Sequence, residues 1–384
     1  MTAPGTGERD DLEPRIAEIL ARKLRVREGA APYVPRSNEQ VRAQLARLFE
    51  ANGLRGIAID GLARMTGGAS KEQFAFTLSH AAGDRPEKLV LRMDPTMGVV
   101  ETCRAREAQI LAALRDVLPV PPVRYVDRDG AHLGQPGLVT SFVSGVTKPT
   151  AMSRQTVSGV GIDYGELAPV IAEQFVANLV RLHAFDWRGA HLPDYAVPAP
   201  GTRQAALRQV NWWARVWAQD LVEPQPVITF AERWLREHAP VCAEPVLVHG
   251  DYRAGNFMFA EPSGEFTAVL DWELAHLGDF HDDLAWSAQK LFGSRVGEEI
   301  LVSGLMTRRE FLERYEAASG RRVDPQVFHY YEVLNAWKCA VLDLSTSCHA
   351  AAAGLSHQDL VLAWVAITGP VFMEQIVKLI AEAN

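Results

Sequence analysis

Strand-like and helical patterns occupy different parts of this chain, and this separation constrains the fold more than any single motif. Between residues 57 and 143, short runs of alternating apolar residues predict five strands, with one helix at residues 101–115. After Ser144-Gly145, long apolar repeats at helical spacing dominate. They predict helices at about residues 165–185, 203–220, 227–238, 282–293, 307–318, 325–348 and 356–381. Strands followed by helices are typical of an α+β fold. We therefore expect a small lobe with an antiparallel sheet and a large, mainly helical lobe.

The predicted organisation has three parts: an N-terminal extension at residues 1–36, an N-lobe at 37–143 and a C-lobe at 144–384. A chain of 384 residues is long enough to bury a core in two lobes. In the extension, an amphipathic helix is expected from Pro14 to Leu24. Ser37 with Gln40 forms a capping-box pattern, which predicts a second helix that begins there.

Composition excludes several classes of function. The net charge is −8 and no dense Lys/Arg tract is present, which argues against nucleic-acid binding. Neither a secretory signal nor an uninterrupted apolar stretch of membrane-spanning length is evident, so we expect no membrane partner. Cys103, Cys242, Cys339 and Cys348 are scattered and typical of reduced thiols. We expect a cytoplasmic monomer or homodimer.

Three polar residues lie at the ends of predicted strands between Val246 and Glu273. Asp251 and Asn256 follow one apolar run, and Asp271 ends another. A hairpin of the last two strands would bring them together. A carboxylate can receive a hydroxyl group, while an amide and a second carboxylate can hold Mg²⁺ on ATP. The alternative is that these Asp and Asn residues only stabilise turns, but the preceding His249-Gly250 and the apolar flanks favour a phosphoryl-transfer site.

A glycine-rich turn joins two predicted strands of the N-lobe. Gly67, Gly68 and Ser70 could donate backbone and hydroxyl hydrogen bonds to ATP phosphates. The turn connects strand to strand, so it is not a Rossmann motif, and the chain has no Gly-Lys-Ser/Thr sequence of a P-loop. The alternative is an ordinary hairpin turn.

Glu107 is the one carboxylate on an otherwise apolar helix face. Burying it without a partner would be costly, so we expect an ion pair with Arg92 on a neighbouring strand. Such a pair could hold the α- and β-phosphates of ATP. A local pair with Arg104, one turn earlier, is the equal alternative.

Taken together, these residues resemble the aminoglycoside phosphotransferase family of the protein-kinase-like fold over about residues 55–355. Within that family, the chain is most similar to the kinase domain attached to certain acyl-CoA dehydrogenases. The resemblance implies that Asp251 is the catalytic aspartate and that Asn256 and Asp271 are magnesium ligands. It also implies that Gly67, Gly68, Ser70, Arg92 and Glu107 bind the nucleotide.

Two further aspartates match family segments. Asp279 and Asp283 correspond to the Gly-Asp…Asp-Leu-Ala pattern, and we interpret both as structural residues that could cap the following helix. His249 is expected to orient the loop by hydrogen bonding. Arg92 departs from the family because most kinases have a lysine at this position, and the forked guanidinium geometry differs from that of an ammonium group.

The acceptor is expected to differ from an aminoglycoside. Aminoglycosides are polycations that need a carboxylate-rich pocket, whereas residues 325–384 contain only five acids. Aromatic residues are plentiful instead, and although most such residues are core, their excess favours a neutral or anionic hydroxylated acceptor with an apolar part. The aromatic residues in question are Trp212, Trp213, Trp217, Tyr330, Tyr331 and Trp337.

The sequence thus predicts a kinase that transfers the γ-phosphoryl group of Mg-ATP to a small-molecule hydroxyl group. One alternative is a non-catalytic nucleotide-binding protein of the same fold, and another is a true aminoglycoside phosphotransferase. A protein kinase is disfavoured because no Ala-Pro-Glu motif follows Asp271.

Overall fold

Two helices precede the sheet. The structure is a computed structural model that describes residues 11–65, 70–83, 85–152 and 159–383. Helix α1 spans Pro14–Arg27 and helix α2 spans Asn38–Ala51. The predicted capping box at the start of α2 is confirmed, because the Ser37 hydroxyl accepts from the Gln40 amide and the Gln40 side chain accepts from the Ser37 amide.

The N-lobe contains a five-stranded antiparallel sheet with strand order β1-β2-β3-β5-β4. Its strands are β1 (Ala58–Arg64), β2 (Glu72–Ser79), β3 (Glu87–Met93), β4 (Val123–Asp127) and β5 (Gly137–Ser141). Helix α3 (Arg104–Leu114) follows β3. One sheet face packs on α2 around Phe49, Phe74 and Phe76 and forms a core of its own.

The C-lobe is mainly helical. Its helices are α4 (Ala168–His183), α5 (Gln204–Asp220), α6 (Pro226–His238), α7 (His281–Ser287), α8 (Arg308–Ser319), α9 (Pro325–Val341), α10 (Cys348–Ala353), α11 (Asp359–Val365) and α12 (Gly369–Glu382). Its strands are β6 (Val246–Val248), β7 (Phe257–Ala260), β8 (Glu265–Val269), β9 (His276–Gly278), β10 (Ser294–Val296) and β11 (Glu299–Leu301). The α+β, bilobal prediction is confirmed.

Two helix predictions in the C-lobe are wrong in detail. A helix was expected at residues 282–293, but α7 ends at Ser287 and the chain continues into a 3-10 turn and the β10–β11 hairpin. The helix expected at 325–348 changes to a π-helix at Leu342–Ser347. There the Ser345 hydroxyl donates to the Val341 carbonyl and competes with the backbone ladder.

The C-terminal helical segment is more apolar than expected. Leu360–Glu382 is long and apolar enough to cross a membrane by length and composition, and only 22% of its most apolar window is buried. Glu374, Lys378 and Glu382 interrupt this segment, so it does not contradict the prediction that no uninterrupted apolar stretch reaches this length. Core helices of soluble proteins can pass the same test of length and composition.

Helix α1 contacts both lobes through buried ion pairs. Arg27 pairs with Asp220 of the C-lobe at 2.6 Å and with Glu101 of the N-lobe at 3.2 Å. Lys23 also pairs with Asp220, at 2.5 Å. Glu13 and Arg106 of α3 form another buried pair at 2.6 Å. The N-terminal extension thus joins the lobes and helix α3.

Candidate active site

The loop that follows β6, residues 249–256, is called the catalytic loop here. Asp283 of α7 holds this loop by hydrogen bonds. The backbone N–H groups of His249 and Gly250 donate to the two oxygens of Asp283 at 2.7 and 2.8 Å. Asp283 also bonds to His183 at 3.1 Å. The prediction that Asp283 caps a helix is therefore wrong, because Asp283 lies within α7 and its carboxylate accepts hydrogen bonds from the catalytic loop. Asp279 does accept from the His281 amide at the start of α7.

The conformation of the catalytic loop depends on Gly250 and His249. Gly250 has φ +82°, and a Cβ atom there would lie 2.7 Å from the Leu274 carbonyl oxygen, so no other residue fits without a shift. The His249 ring donates from Nε2 to the Leu270 carbonyl at 2.9 Å and accepts from the Asp251 amide at Nδ1. His249 orients the loop in this way.

The Asp251 carboxylate receives hydrogen bonds on both oxygens. Arg253 and Trp286 donate to Oδ1 at 2.6 and 2.7 Å, and Asn256 donates to Oδ2 at 2.6 Å. Burial raises the pKa of Asp251 above its ordinary value, although the Arg253 charge opposes this shift. The three donors fix the orientation of the carboxylate.

Arg253 and Trp286 were missed by the sequence reasoning. Arg253 lies two residues after Asp251, and its guanidinium group also stacks over the Phe292 ring at 4.6 Å. This short spacing within the loop could have indicated that Arg253 contacts Asp251. Trp286 lies 35 positions from Asp251, and nothing in its local sequence indicates this contact.

The hairpin expected between the last two strands is present and brings Asn256 near Asp271. Strands β7 and β8 pair antiparallel, and the Leu270 amide donates to the Asn256 carbonyl at 2.7 Å. Asp271 has φ +66°, a left-handed conformation that is uncommon outside glycine. Backbone strain of this kind clusters at functional sites.

Arg92 connects Asp271 to helix α3. Its guanidinium group donates to Asp271 Oδ1 at 2.6 Å and to Glu107 Oε1. Arg104 binds the other oxygen of Glu107. The two partners that the sequence offered for Glu107 are therefore both used, and its side chain is fully buried between them.

Glu273 extends this group of charges. It lies on the 3-10 turn Trp272–Leu274 after Asp271, and its carboxylate contacts Arg104 at 3.0 Å and Lys71 at 3.4 Å. Asp94 pairs with the same two cations, at 3.1 and 3.4 Å. We call this set the inter-lobe ion cluster. It consists of Lys71, Arg92, Asp94, Arg104, Glu107, Asp271 and Glu273.

Of the predicted phosphate-binding turn, the structure describes only one residue. Ser70 donates its hydroxyl hydrogen to Glu273 Oε1 at 2.6 Å, so in this structure the hydroxyl group contacts the C-lobe. Gly67 and Gly68 lie outside the described residues. Their role in phosphate binding stays a prediction.

The side chains of Asn256 and Asp271 suit a magnesium ion. Mg²⁺ prefers oxygen ligands and takes few of them from protein when phosphates are present. The Asn256 amide nitrogen faces Asp251, which directs its carbonyl oxygen to the opposite side. Asp271 keeps a partly exposed carboxylate. One amide oxygen and one carboxylate match the sparse protein ligand set of Mg-ATP.

The six aromatic residues that the sequence associates with an apolar acceptor belong to the core. Trp213, Trp337 and Tyr331 are each at most 1% exposed, and the other three are also buried. Their number reflects packing between helices, because large rings fill the interior of the C-lobe. Their number is therefore no indication of the acceptor, and the inference of an apolar acceptor from these residues is wrong.

The fold and this grouping of side chains define a bilobal, kinase-like phosphotransferase architecture. The sequence profile described as the phosphotransferase enzyme family matches residues 61–331, more than half of the chain. The chain belongs to this family.

Relatives with similar sequences are larger proteins. Acyl-CoA dehydrogenase family member 10 of Mus musculus is 29% identical over 203 residues, which cover 52% of this chain and 18% of that protein. The probable acyl-CoA dehydrogenase IBR3 of Arabidopsis thaliana is 25% identical over 338 residues, 78% of this chain and 39% of that protein. The chain thus spans less than half the length of either relative.

Solved structures share the fold. A protein of Ralstonia eutropha superimposes with a TM-score of 0.62 at 21% identity, covering 90% of this chain and 98% of that one. Macrolide 2'-phosphotransferase type I gives a TM-score of 0.55 at 21% identity, with coverages of 88% and 98%. An aminoglycoside phosphotransferase in complex with AMP-PNP and hygromycin B gives 0.53 at 15% identity, with coverages of 87% and 97%.

Proposed function

We propose that this protein is a small-molecule kinase that transfers the γ-phosphoryl group of Mg-ATP to a hydroxyl group. The observation that carries the proposal is the Asp251 carboxylate, which three side-chain donors orient at the end of a buried strand. Asn256 shares its loop, and Asp271 lies beside it next to Arg92. Family membership supports the same reaction class.

Asp251 positions the acceptor hydroxyl group and accepts its proton late, because bond formation lags in a loose transition state. Arg92, held by Glu107, binds the triphosphate, with the backbone N–H groups of Gly67, Gly68 and Ser70 as further donors. Asn256 and Asp271 would hold magnesium, which when bound neutralises phosphate charge. In the nucleotide-free protein, Arg92 and Asp271 form an ion pair, so the charge of each side chain is compensated by the other.

The proposed acceptor is a non-polycationic hydroxylated metabolite, with hydroxyacyl thioesters the leading class. Acids near the C-terminus already have partners: Glu332 pairs with Arg308, Glu374 with Lys378, and Asp343 accepts from Thr368. The acyl-CoA dehydrogenase names of two relatives support an acyl acceptor. We further propose a cytoplasmic location, a monomer or homodimer, and adenine binding near residues 140–143.

A screen for acceptor-stimulated ADP release tests this proposal. The panel contains hydroxyacyl-CoA thioesters, sugars, amino alcohols and aminoglycosides, each assayed with Mg-ATP. We expect stimulation by a hydroxyacyl compound and none with Asp251→Asn. Stimulation by aminoglycosides alone would show that the acceptor class is wrong. Mg-ATP binding without turnover on any acceptor would favour the non-catalytic alternative.

A further inference from the structure

Glu273 connects the two lobes through four polar contacts. Its Oε1 accepts from the Ser70 hydroxyl at 2.6 Å, and its Oε2 accepts from the Thr102 hydroxyl at 3.5 Å. The same Oε2 lies 3.0 Å from Arg104 and 3.4 Å from Lys71. Ser70 and Lys71 immediately precede β2, at the end of the glycine-rich turn. Arg104 begins helix α3. One C-lobe carboxylate therefore contacts two different elements of the N-lobe.

Burial makes these contacts sensitive to charge. The side chains of Arg104 and Lys71 are 0% and 3% exposed, and that of Glu273 is 9% exposed. Burial alone would raise the pKa of Glu273, but Lys71, Arg104 and Arg92 together lower it to about 2. A neutral side chain at this position would leave buried cations without part of their counter-charge, which is costly.

The position of Glu273 in the chain links these contacts to the predicted metal ligand. Only Trp272 separates Glu273 from Asp271, and the indole of Trp272 is buried and donates to the Val269 carbonyl at 3.0 Å. The turn is therefore anchored in the C-lobe. Displacement of Glu273 would move Asp271 with it, because Asp271 immediately precedes the short 3-10 turn on which Glu273 lies.

We propose that Glu273 is a positioning residue for Mg-ATP. It holds Ser70 and Lys71, at the end of the glycine-rich turn, and the start of helix α3 against the segment that carries Asp271. The phosphate-binding and magnesium-binding groups are then kept in one arrangement. Glu273 acts through Ser70, Lys71 and Arg104 and does not itself bind the ion. This inference rests on the proposed kinase function.

The test compares Glu273→Gln, Glu273→Asp and Ser70→Ala in the full chain, with ATP hydrolysis and Mg-ATP binding as measurements. We expect Glu273→Gln to raise the KM for ATP about tenfold, which corresponds to about 1.4 kcal/mol, with kcat reduced much less. Glu273→Asp should recover part of the affinity, because the charge is kept. The matched control is Glu265→Gln, an exposed glutamate on β8, which should behave like the wild type.

A double-mutant cycle separates positioning from a general loss of stability. If Ser70 acts through Glu273, the loss of ATP affinity in the double variant is smaller than the sum of the two single losses. Ser70→Ala removes one hydroxyl group, so it keeps the test valid if Glu273→Gln does not fold.

Three outcomes would overturn the inference: unchanged ATP affinity in Glu273→Gln, strictly additive losses in the cycle, or a higher Mg²⁺ requirement with normal ATP affinity at saturating Mg²⁺. The last result would make Glu273 a metal ligand. Failure of the wild-type protein to bind Mg-ATP is a different result, because it would contradict the proposed function itself.

Discussion

The catalytic loop and the inter-lobe ion cluster are stabilised in different ways. The loop belongs to one lobe, and its support comes from backbone N–H groups that donate to the buried Asp283 carboxylate. The ion cluster crosses between the lobes and consists of three cations and four carboxylates. Backbone hydrogen bonds to a fixed carboxylate preserve one geometry. Ion pairs can exchange partners when a charged nucleotide enters.

The difference indicates a division of labour. The loop keeps Asp251 in one orientation before any substrate binds, which favours fast chemistry. The cluster holds its charges in mutual pairs, such as Arg92 with Asp271, which an incoming phosphate can replace. We therefore expect variants of the loop to change turnover and variants of the cluster to change nucleotide affinity.

The largest effect is expected for Asp251→Asn. The amide cannot accept the hydroxyl proton, so kcat should fall by about 10²- to 10⁴-fold while Mg-ATP binding is largely kept. Turnover assays and calorimetric titration with AMP-PNP measure the two quantities separately. Asp116→Asn, with a side chain that is 91% exposed, is the control. Near-normal turnover would contradict the role of Asp251.

Asp283→Ala should disrupt the loop. It leaves two buried backbone N–H groups and His183 without their acceptor, and we expect a loss of about 3 kcal/mol in the free energy of unfolding. Urea denaturation measures this loss, and kcat should fall with little change in ATP affinity for the folded fraction. Asp60→Ala, at an exposed position of β1, controls for loss of a carboxylate. If Asp283→Ala lowered only the affinity for ATP, the expectation that the loop controls turnover and the cluster controls nucleotide affinity would be wrong.

Glu107→Gln should perturb the inter-lobe ion cluster. Arg92 and Arg104 would lose the charge that they share, and we expect the KM for ATP to rise about 10- to 30-fold, or about 1.4 to 2 kcal/mol. The control is Glu313→Gln, with a side chain that is 61% exposed. If kcat fell and KM did not change, the cluster would belong to the chemical step.

The smallest effect concerns pH. The pKa of Asp251 is raised by burial, whereas that of Glu273 is lowered to about 2. As the pH falls, Asp251 is therefore protonated first and loses its ability to accept a proton. We expect kcat to decline at a pH at which the ion cluster still binds AMP-PNP. Parallel loss of turnover and binding would show that the two regions titrate together.

The sequence predicted much of the fold because its periodicity is strong. The alternation of Phe74, Phe76 and Leu78 predicts β2, and Ser37 predicts the start of α2. The β10–β11 hairpin was missed because its strands are three residues long and carry no clear alternation. Such short segments form through neighbours that are distant in sequence.

The site was predictable where its residues are close in sequence. The predicted β7–β8 hairpin brings Asn256 toward Asp271, and Glu107 needed a cationic partner wherever it was buried. The contacts of Trp286 and Glu273 depend on the relative position of whole helices and lobes, which no local pattern contains. The roles of all these residues stay predictions until variants are measured.

Arg27 of the N-terminal extension has a mechanical consequence. One guanidinium group contacts Glu101 in the N-lobe and Asp220 in the C-lobe, so a single side chain bridges the two lobes. This bridge lies on the N-terminal extension and is separate from the contacts of the inter-lobe ion cluster. Moving the lobes apart would therefore break the buried Arg27–Asp220 or Arg27–Glu101 contact in addition to the pairs of the cluster.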